Sequence, residues 1–356
     1  MRDRPRIVWR ANGPLLVAAV ALAGCSSSAP PPPDETTFPS IVTESFHVPS
    51  GDPGIELYVR NKRLEDLADF RPDNVVLFVH GATYPAETAF DLPLDGFSWM
   101  DFIAQRGYDV YLMDLRGYGR SSRPPEMREP PAAHPPLVDT AAAIADFGTV
   151  VDHILERRAV PRLTVMGWSW GTTIVGGFAA AHGDRVEKLV MYAPVWTSDP
   201  QPDAPAPPTD AYREVTREAA LSRWLNGVPE AKRDDTLPPE WYDAWWQANM
   251  EAGPVGAAKA PPVIQAPNGV LQDLRGAWAR GTALYDASDI TAPTLLVVAE
   301  WDADTPLARA QGVFAALTRA PRKRLVVIGE GTHTVIMEKN RMQLFEEVQL
   351  FLDEAH

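Results

Sequence analysis

The sequence predicts an α/β fold: a mostly parallel central sheet flanked by helices, interrupted by a helical cap insertion. Three observations carry this reading. Apolar runs of strand length alternate with segments of helical spacing, the pattern of a parallel sheet covered on both faces. The sequence Gly167-Trp168-Ser169-Trp170-Gly171 stands between one such run and the helix after it. Finally, about a hundred residues without a clear sheet strand separate Tyr192 from Thr294, too many for a simple loop.

Four arginines, Arg2, Arg4, Arg6 and Arg10, face a single acid, Asp3, at the start of the chain, and a short apolar run follows over Pro14 to Leu22. A membrane-spanning helix needs about 20 apolar residues, so residues 1–24 read as a secretory signal peptide. It closes on Leu22-Ala23-Gly24-Cys25. This resembles the lipobox of bacterial lipoproteins, and the resemblance implies cleavage before Cys25 and lipidation of that residue. Residues 25–40 are rich in Ser and Pro, have nothing to build a core with, and read as a tether. The expected location is the bacterial cell envelope, lipid-anchored and extracytoplasmic, on the periplasmic face or the cell surface. Cys25 is the only cysteine, so no disulfide is expected. The net charge of −14 argues against a nucleic-acid partner. No cysteine–histidine cluster suggests a metal and no G-x-G-x-x-G suggests a dinucleotide, so no cofactor is expected.

The core is expected over 41–195 and 286–356, with the cap over 196–285. Val75 to Val79 reads as a strand ending in His80-Gly81-Ala82-Thr83, and Phe97 to Ala104 as a helix covering the sheet. A strand over Tyr108 to Met113 runs into Asp114-Leu115-Arg116-Gly117-Tyr118-Gly119-Arg120-Ser121-Ser122, and Pro124 to Pro136 is a Pro-rich loop bordering the pocket. Asp139 to Arg158 places Ile144, Phe147, Val151, Ile154 and Leu155 on one helical face. Arg162 to Met166 is a buried strand and Thr172 to Ala181 a closely packed helix, followed by a strand over Val186 to Tyr192. Within the insertion, Tyr212 to Leu225, Glu240 to Met250 and Gly269 to Tyr285 have helical spacing. The core resumes with a strand over Pro293 to Ala299 and a helix over Leu307 to Leu317, for which Thr305 is the expected N-cap and Pro306 the first residue. A last strand, Lys323 to Ile328, precedes a helix from about Val335 to Asp353.

A serine between strand and helix with glycine two residues away on each side is a nucleophile elbow. The turn is sharp enough to need small neighbours, and it holds the hydroxyl at a helix N-terminus, where free N–H groups can stabilise an oxyanion. A serine hydroxyl is a weak nucleophile that needs a base, and the base needs an orienting carboxylate. In chain order Asp302, just past a strand, is the acid candidate, with Glu300 and Asp304 as competitors. His333, on a glycine-flanked loop past the last strand, is the base candidate. The backbone N–H groups of Ala82 and Trp170 are the candidate oxyanion hole, and His80 reads as a structural loop residue.

With these residues in place, the chain from about Ile41 onward resembles the α/β-hydrolase superfamily. His80-Gly81 is similar to its oxyanion loop, Asp114 to Ser122 to the loop after the next strand, and Gly167 to Gly171 to its elbow. Asp302 and His333 fall where the family keeps its acid and base. The resemblance implies the α/β-hydrolase fold, no cofactor, a helical cap over the site, and a small-molecule ester or amide as substrate. The oxyanion loop departs from the common His-Gly-Gly-Gly and His-Gly-Gly-Pro forms. Gly-x-Ser-Trp-Gly with the Asp-x-Arg-Gly-x-Gly-x-Ser loop is similar to proline iminopeptidases, which keeps an aminopeptidase in view. Glu214, Glu218 and Asp243 of the insertion are then candidates to bind a substrate ammonium. A non-catalytic binding protein of the envelope is the third reading. Serine at the elbow argues against haloalkane dehalogenases and epoxide hydrolases, whose members carry Asp there. Tryptophans crowd the insertion, and Thr83, Trp168, Trp196, Trp245 and Trp301 are the candidate pocket residues, walls suited to an apolar substrate. Carboxylic ester hydrolysis is the first expectation.

Overall fold

Eight strands make the central sheet in a computed structural model that describes residues 40–197 and 205–355. In chain order the strands are β1 (Ile41–Pro49), β2 (Glu56–Leu64), β3 (Val75–Val79), β4 (Asp109–Met113), β5 (Leu163–Trp168), β6 (Val186–Tyr192), β7 (Tyr212–Thr216), β8 (Val263–Pro267), β9 (Thr294–Ala299) and β10 (Lys323–Ile328). The helices are α1 (Ala86–Phe90), α2 (Trp99–Ala104), α3 (Thr140–Arg158), α4 (Trp170–Ala181), α5 (Arg217–Trp224), α6 (Arg233–Thr236), α7 (Pro239–Ala252), α8 (Pro254–Ala257), α9 (Gly269–Gly276), α10 (Leu307–Ala316) and α11 (Arg341–Asp353). The sheet order is β1-β2-β4-β3-β5-β6-β9-β10, and β7 and β8 pair separately. From β4 to β10 every pairing is parallel. Strands β1 and β2 add an antiparallel margin that the sequence reading did not single out.

Alternate residues of the central strands feed two separate apolar layers. Val76, Phe78, Val110, Leu112, Met166 and Val190 face one layer. Val75, Leu77, Val79, Tyr111, Val165 and Met191 face the other. This period of two is why β3, β4, β5 and β9 are buried at every position and mostly apolar, with Asp109, Thr164 and Thr294 the polar exceptions. The first layer is covered by α2 and α11 and runs on into the insertion through Trp224, Tyr242 and Trp245. The second is covered by α3 and α4, whose Phe147 and Phe178 meet edge to face at 5.3 Å.

Several local expectations change. Tyr212–Thr216 is a strand, not the start of a helix, and pairs antiparallel with β8, with Arg213 opposite Ala266. The insertion therefore carries a two-stranded sheet beside its helices. Helix α9 stops at Gly276, and a 3-10 turn follows at Trp278–Arg280. The C-terminal helical stretch is broken into a 3-10 turn, Val335–Met337, and α11. Pro306 rather than Thr305 occupies the N-cap of α10, because the Thr305 hydroxyl donates to Asp302 instead. The Pro-rich loop folds as two 3-10 turns and takes up the insertion: Ala211 N–H donates to Pro131 O at 2.9 Å and Tyr212 Oη to Glu129 O at 2.9 Å. The expected signal peptide, Cys25 and all of the tether except Ser40 lie outside the described residues. Among the described residues, no helix is long and apolar enough to cross a membrane.

Candidate active site

Strand register brings the candidate residues together. Chain order moves from β3 outward to β4 and then back across β3 to β5, so the sheet changes winding direction between β3 and β5. A crevice opens at the carboxyl ends of strands at such a point. Val79 is paired with Gly167 in register, so the loop carrying Ala82 and the turn carrying Ser169 leave the sheet side by side.

The turn at Ser169 is as tight as its glycines imply. A Cβ on Gly167 would lie 2.3 Å from the carbonyl carbon and oxygen of Gly171, and one on Gly171 would lie 2.6 Å from Val79 O. Ser169 has φ 56° and ψ −121°, a strained conformation for a residue with a side chain. Three bonds hold it: Ser169 N–H donates to Tyr192 O at 2.9 Å, and Ser169 O accepts from Thr172 N at 2.8 Å and Thr172 Oγ1 at 2.6 Å. The N–H groups of Ala82 and Trp170 have no acceptor among the described residues.

Asp302 and His333 meet on adjacent loops. His333 Nδ1 lies 2.9 Å from Asp302 Oδ2 and 3.0 Å from Oδ1. The carboxylate is itself fixed by Asp304 N and Thr305 N on Oδ1, at 2.9 and 2.7 Å, and by Thr305 Oγ1 on Oδ2 at 2.7 Å. His333 is anchored through its carbonyl, which accepts from Trp168 Nε1 at 3.0 Å and from Tyr192 Oη at 2.7 Å. Its Nε2 is buried and has no hydrogen-bond partner among the described residues. The Ser169 hydroxyl makes no bond to it in this conformation; such contacts are commonly long without substrate. Ser169, His333, Ala82 and Thr83 line one narrow space, and Ser169, Ala82, Thr83 and Trp170 also line an adjoining cavity of about 230 Å³.

The competing acids are engaged elsewhere. Glu300 accepts from Glu330 N, and Asp304 pairs with Arg223 at 2.8 Å. Burial pushes the Asp304 carboxyl up, but His333 and Arg223 outweigh it, and the carboxyl ends below its ordinary value. His80 is fully buried; its Nε2 accepts from Leu115 N at 3.1 Å, so Nδ1 carries the proton and donates to Gly81 O at 2.7 Å. Burial lowers its pKa to about 4, and it stays neutral as a structural residue.

Of the five candidate pocket residues, Thr83 and Trp168 line the space beside Ser169. Trp245 does not: it is 0 % exposed and packs edge-on to Tyr84 at 4.8 Å and Trp224 at 5.1 Å, both of which are in the wall. Trp196 packs against Trp278 and Tyr285 and lies outside both spaces. Trp301 also lies outside them, its carbonyl against Gly227. The insertion carboxylates likewise turn away: Glu214 to Lys259 and Asp243 to Arg217, with Glu218 exposed.

The sequence reading missed four participants. Tyr192 ends a strand and holds the His333 carbonyl. Arg213 and Arg223 reach in from the insertion to Thr83 Oγ1, at 3.0 and 3.2 Å. Glu338, buried behind the His333 loop, accepts from Thr332 N and Thr332 Oγ1 and from Trp224 Nε1 at 3.0 Å. A polar residue five positions after a candidate base carries no motif, and which side chains of β7 share a face is visible only once that segment is known to be a strand.

Comparison with known proteins agrees with the fold. A putative non-heme chloroperoxidase from Synechocystis is 27 % identical over 271 residues, covering 72 % of this chain and 86 % of that protein. Epoxide hydrolase A of Mycobacterium tuberculosis is 30 % identical over 142 residues, 39 % of this chain, and the match spans only 36 % of that enzyme's length. Among solved structures, an esterase from Thermogutta terrifontis superposes with a TM-score of 0.57 at 17 % identity, covering 87 % of this chain and 98 % of that one. A serine hydrolase from Cycloclasticus zankles gives 0.59 at 16 % identity, covering 88 % and 98 %. The profile of the alpha/beta hydrolase fold family matches residues 74–340. The chain belongs to the alpha/beta hydrolase family.

Proposed function

We propose that this protein is a serine hydrolase that cleaves a carboxylic ester through an acyl-enzyme. Ser169 Oγ attacks the ester carbonyl carbon while His333 Nε2 takes its proton. Asp302 holds the Nδ1–H tautomer, and the N–H groups of Ala82 and Trp170 receive the developing oxyanion. His333 then protonates the leaving alcohol. Water, deprotonated by the same imidazole, releases the acid and restores Ser169. The observation that carries this reading is the buried Asp302–His333 pair whose free Nε2 borders the space that Ser169 also lines.

An aminopeptidase would need an acid free to hold a substrate ammonium. The one carboxylate lining the larger cavity, Asp304, is already paired with Arg223, which weighs against that alternative. The test compares the full chain with Ser169→Ala on phenyl esters and on alanyl and prolyl anilides, together with fluorophosphonate labelling. Ester turnover and labelling that both vanish in the variant support the proposal. Turnover retained in the variant refutes it, and amide turnover that needs a free amine moves the assignment to the aminopeptidase. We further propose that Cys25 anchors the enzyme in the envelope. Membrane fractionation of Cys25→Ser is the check, and unchanged membrane association would exclude it.

A further inference from the structure

Three arginines border the cavity of about 230 Å³ beside Ser169: Arg213 from β7, Arg223 from α5 and Arg309 from the first turn of α10. A single carboxylate, Asp304, lines it with them. The chain as a whole has 47 acidic against 33 basic residues, so an excess of cations at this place runs against its composition.

Arg223 pairs directly with Asp304 at 2.8 Å, and Asp302 and Asp304 also act on Arg309 at longer range. Among the described residues no carboxylate lies within 4 Å of the guanidinium of Arg213 or Arg309. Arg213 donates to Pro267 O at 2.6 Å, Ala82 O at 2.5 Å and Thr83 Oγ1 at 3.0 Å. These neutral oxygens satisfy its N–H groups without cancelling its charge. Arg309 makes one bond, to Trp196 O at 3.2 Å. Arg213 has no carboxylate among the described residues acting on it and lies beside a second cation, Arg223; a partly buried cation in that setting is costly to the folded state, and a ligand that brings negative charge removes the cost. The opposite wall is apolar, formed by Val195, Leu271 and Leu274.

We propose that the substrate is a small ester carrying an anionic group, a carboxylate or a phosphate, that sits between Arg213 and Arg309 while its ester carbonyl lies at Ser169. Arg309, with one bond to Trp196 O, keeps guanidinium N–H groups for the paired oxygens of either anion, and Arg213 adds a fixed positive charge. The volume is somewhat below the usual range for small-molecule pockets, about 300–1,000 Å³, which fits a short chain. This revises the expectation of a purely apolar substrate. It rests on the serine-hydrolase reading, and the experiment separates the two.

The full chain is assayed on matched pairs. Monomethyl adipate against methyl hexanoate places the charge on the acyl side, and 3-carboxyphenyl butanoate against phenyl butanoate places it on the leaving side. A 3-phosphonooxyphenyl butanoate arm distinguishes phosphate from carboxylate. With charge-assisted hydrogen bonds of the usual strength, kcat/KM for the anionic member of at least one pair should exceed the neutral one by about tenfold to a hundredfold. The ratio should fall at high ionic strength and collapse toward one in Arg309→Gln. It should be unchanged in Arg319→Gln, an exposed arginine paired with Asp289. Independently, titration calorimetry of the Ser169→Ala chain with glutarate should show binding that glutaramide lacks and that Arg309→Gln loses. Fluorophosphonate labelling of Ser169 with no preference for any anionic ester and no glutarate binding overturns the proposal and leaves the serine hydrolase standing. Glutarate binding without labelling or ester turnover supports the anion site and defeats the catalytic reading.

Discussion

Asp302→Asn would test the candidate triad with almost no change in shape. Oδ1 accepts from two backbone N–H groups, Asp304 N and Thr305 N, which cannot turn away. The asparagine carbonyl must therefore take that place, and its amide nitrogen replaces Oδ2. There the Thr305 hydroxyl, 2.7 Å away, can rotate from donor to acceptor. The other amide hydrogen points at His333 Nδ1, 2.9 Å from that position, and requires a lone pair on it. His333 is then locked with its proton on Nε2 and cannot accept one from Ser169. Loss of the correct tautomer in a triad costs about 10⁴ in kcat, close to 5 kcal/mol of transition-state stabilisation. The assay is kcat and KM for a phenyl ester with the full chain, with thermal melting to show that the fold persists. We expect kcat to fall by about four orders of magnitude with KM and melting little changed. A kcat within about tenfold of the parent would refute the assignment of Asp302 as the orienting acid.

Three further outcomes follow from contacts already described. Gly171→Ala drives a methyl to within 2.6 Å of Val79 O and 2.8 Å of His80 O; it should cost about 1–3 kcal/mol in denaturant unfolding and displace the Trp170 N–H, lowering kcat, and a fully active, fully stable variant would contradict that. Trp245→Ala empties a site enclosed by Tyr84, Trp224 and Tyr242 and should cost about 3–5 kcal/mol; because Trp245 Nε1 has no partner among the described residues, Trp245→Phe should cost clearly less, and equal losses would show that packing is not the cause. Burial pushes the Glu338 carboxyl up to about 7 from an ordinary 4.5, and Asp114 up to about 6. Between the ordinary and raised values the folded chain keeps protons that the unfolded chain has released, so stability is greatest below pH 4.5 on this account and falls as pH rises to about 7. Glu338→Gln should remove up to about 3 kcal/mol of that slope in unfolding measured across the window, and an unchanged slope would show that Glu338 is ionised throughout.

Most of the core was legible because its signals are local and repeated. β6 and β10 span the residues that read as strands in the sequence, and α3 starts after Asp139, whose side chain caps it by accepting from Ala142 N. Gly167 and Gly171 mark a turn whose geometry excludes a Cβ at either position. What sequence left obscure depends on long-range partners. β1 and β2 are half-exposed and read as strands only when paired with each other and with β4. Tyr212 to Leu225 has enough apolar residues to satisfy a helical period, yet its first five residues form a strand, whose successive side chains alternate between two faces. That alternation sends Glu214 outward to Lys259 and Arg213 inward to Thr83. Reading the segment as a helix hid the sign of the charge at the cavity. The tryptophans of the insertion misled for another reason: composition does not tell a ring that faces a ligand from one that supports it from behind, as Trp245 does.

The Arg213 contact to the Ala82 carbonyl has an evolutionary consequence. In many folds an insertion between two strands is a separable module, free to lengthen, shrink or be exchanged while the core keeps its chemistry. Here β7 hands a guanidinium to the same short loop whose N–H is the candidate oxyanion donor, and Trp224 of the neighbouring helix hands an indole N–H to the carboxylate under the His333 loop. Lid and core therefore share the groups that set the site's geometry. A lineage that replaced this insertion would have to rebuild both anchors in the same step, so its substrate range is expected to drift through single side chains rather than by exchange of the whole lid.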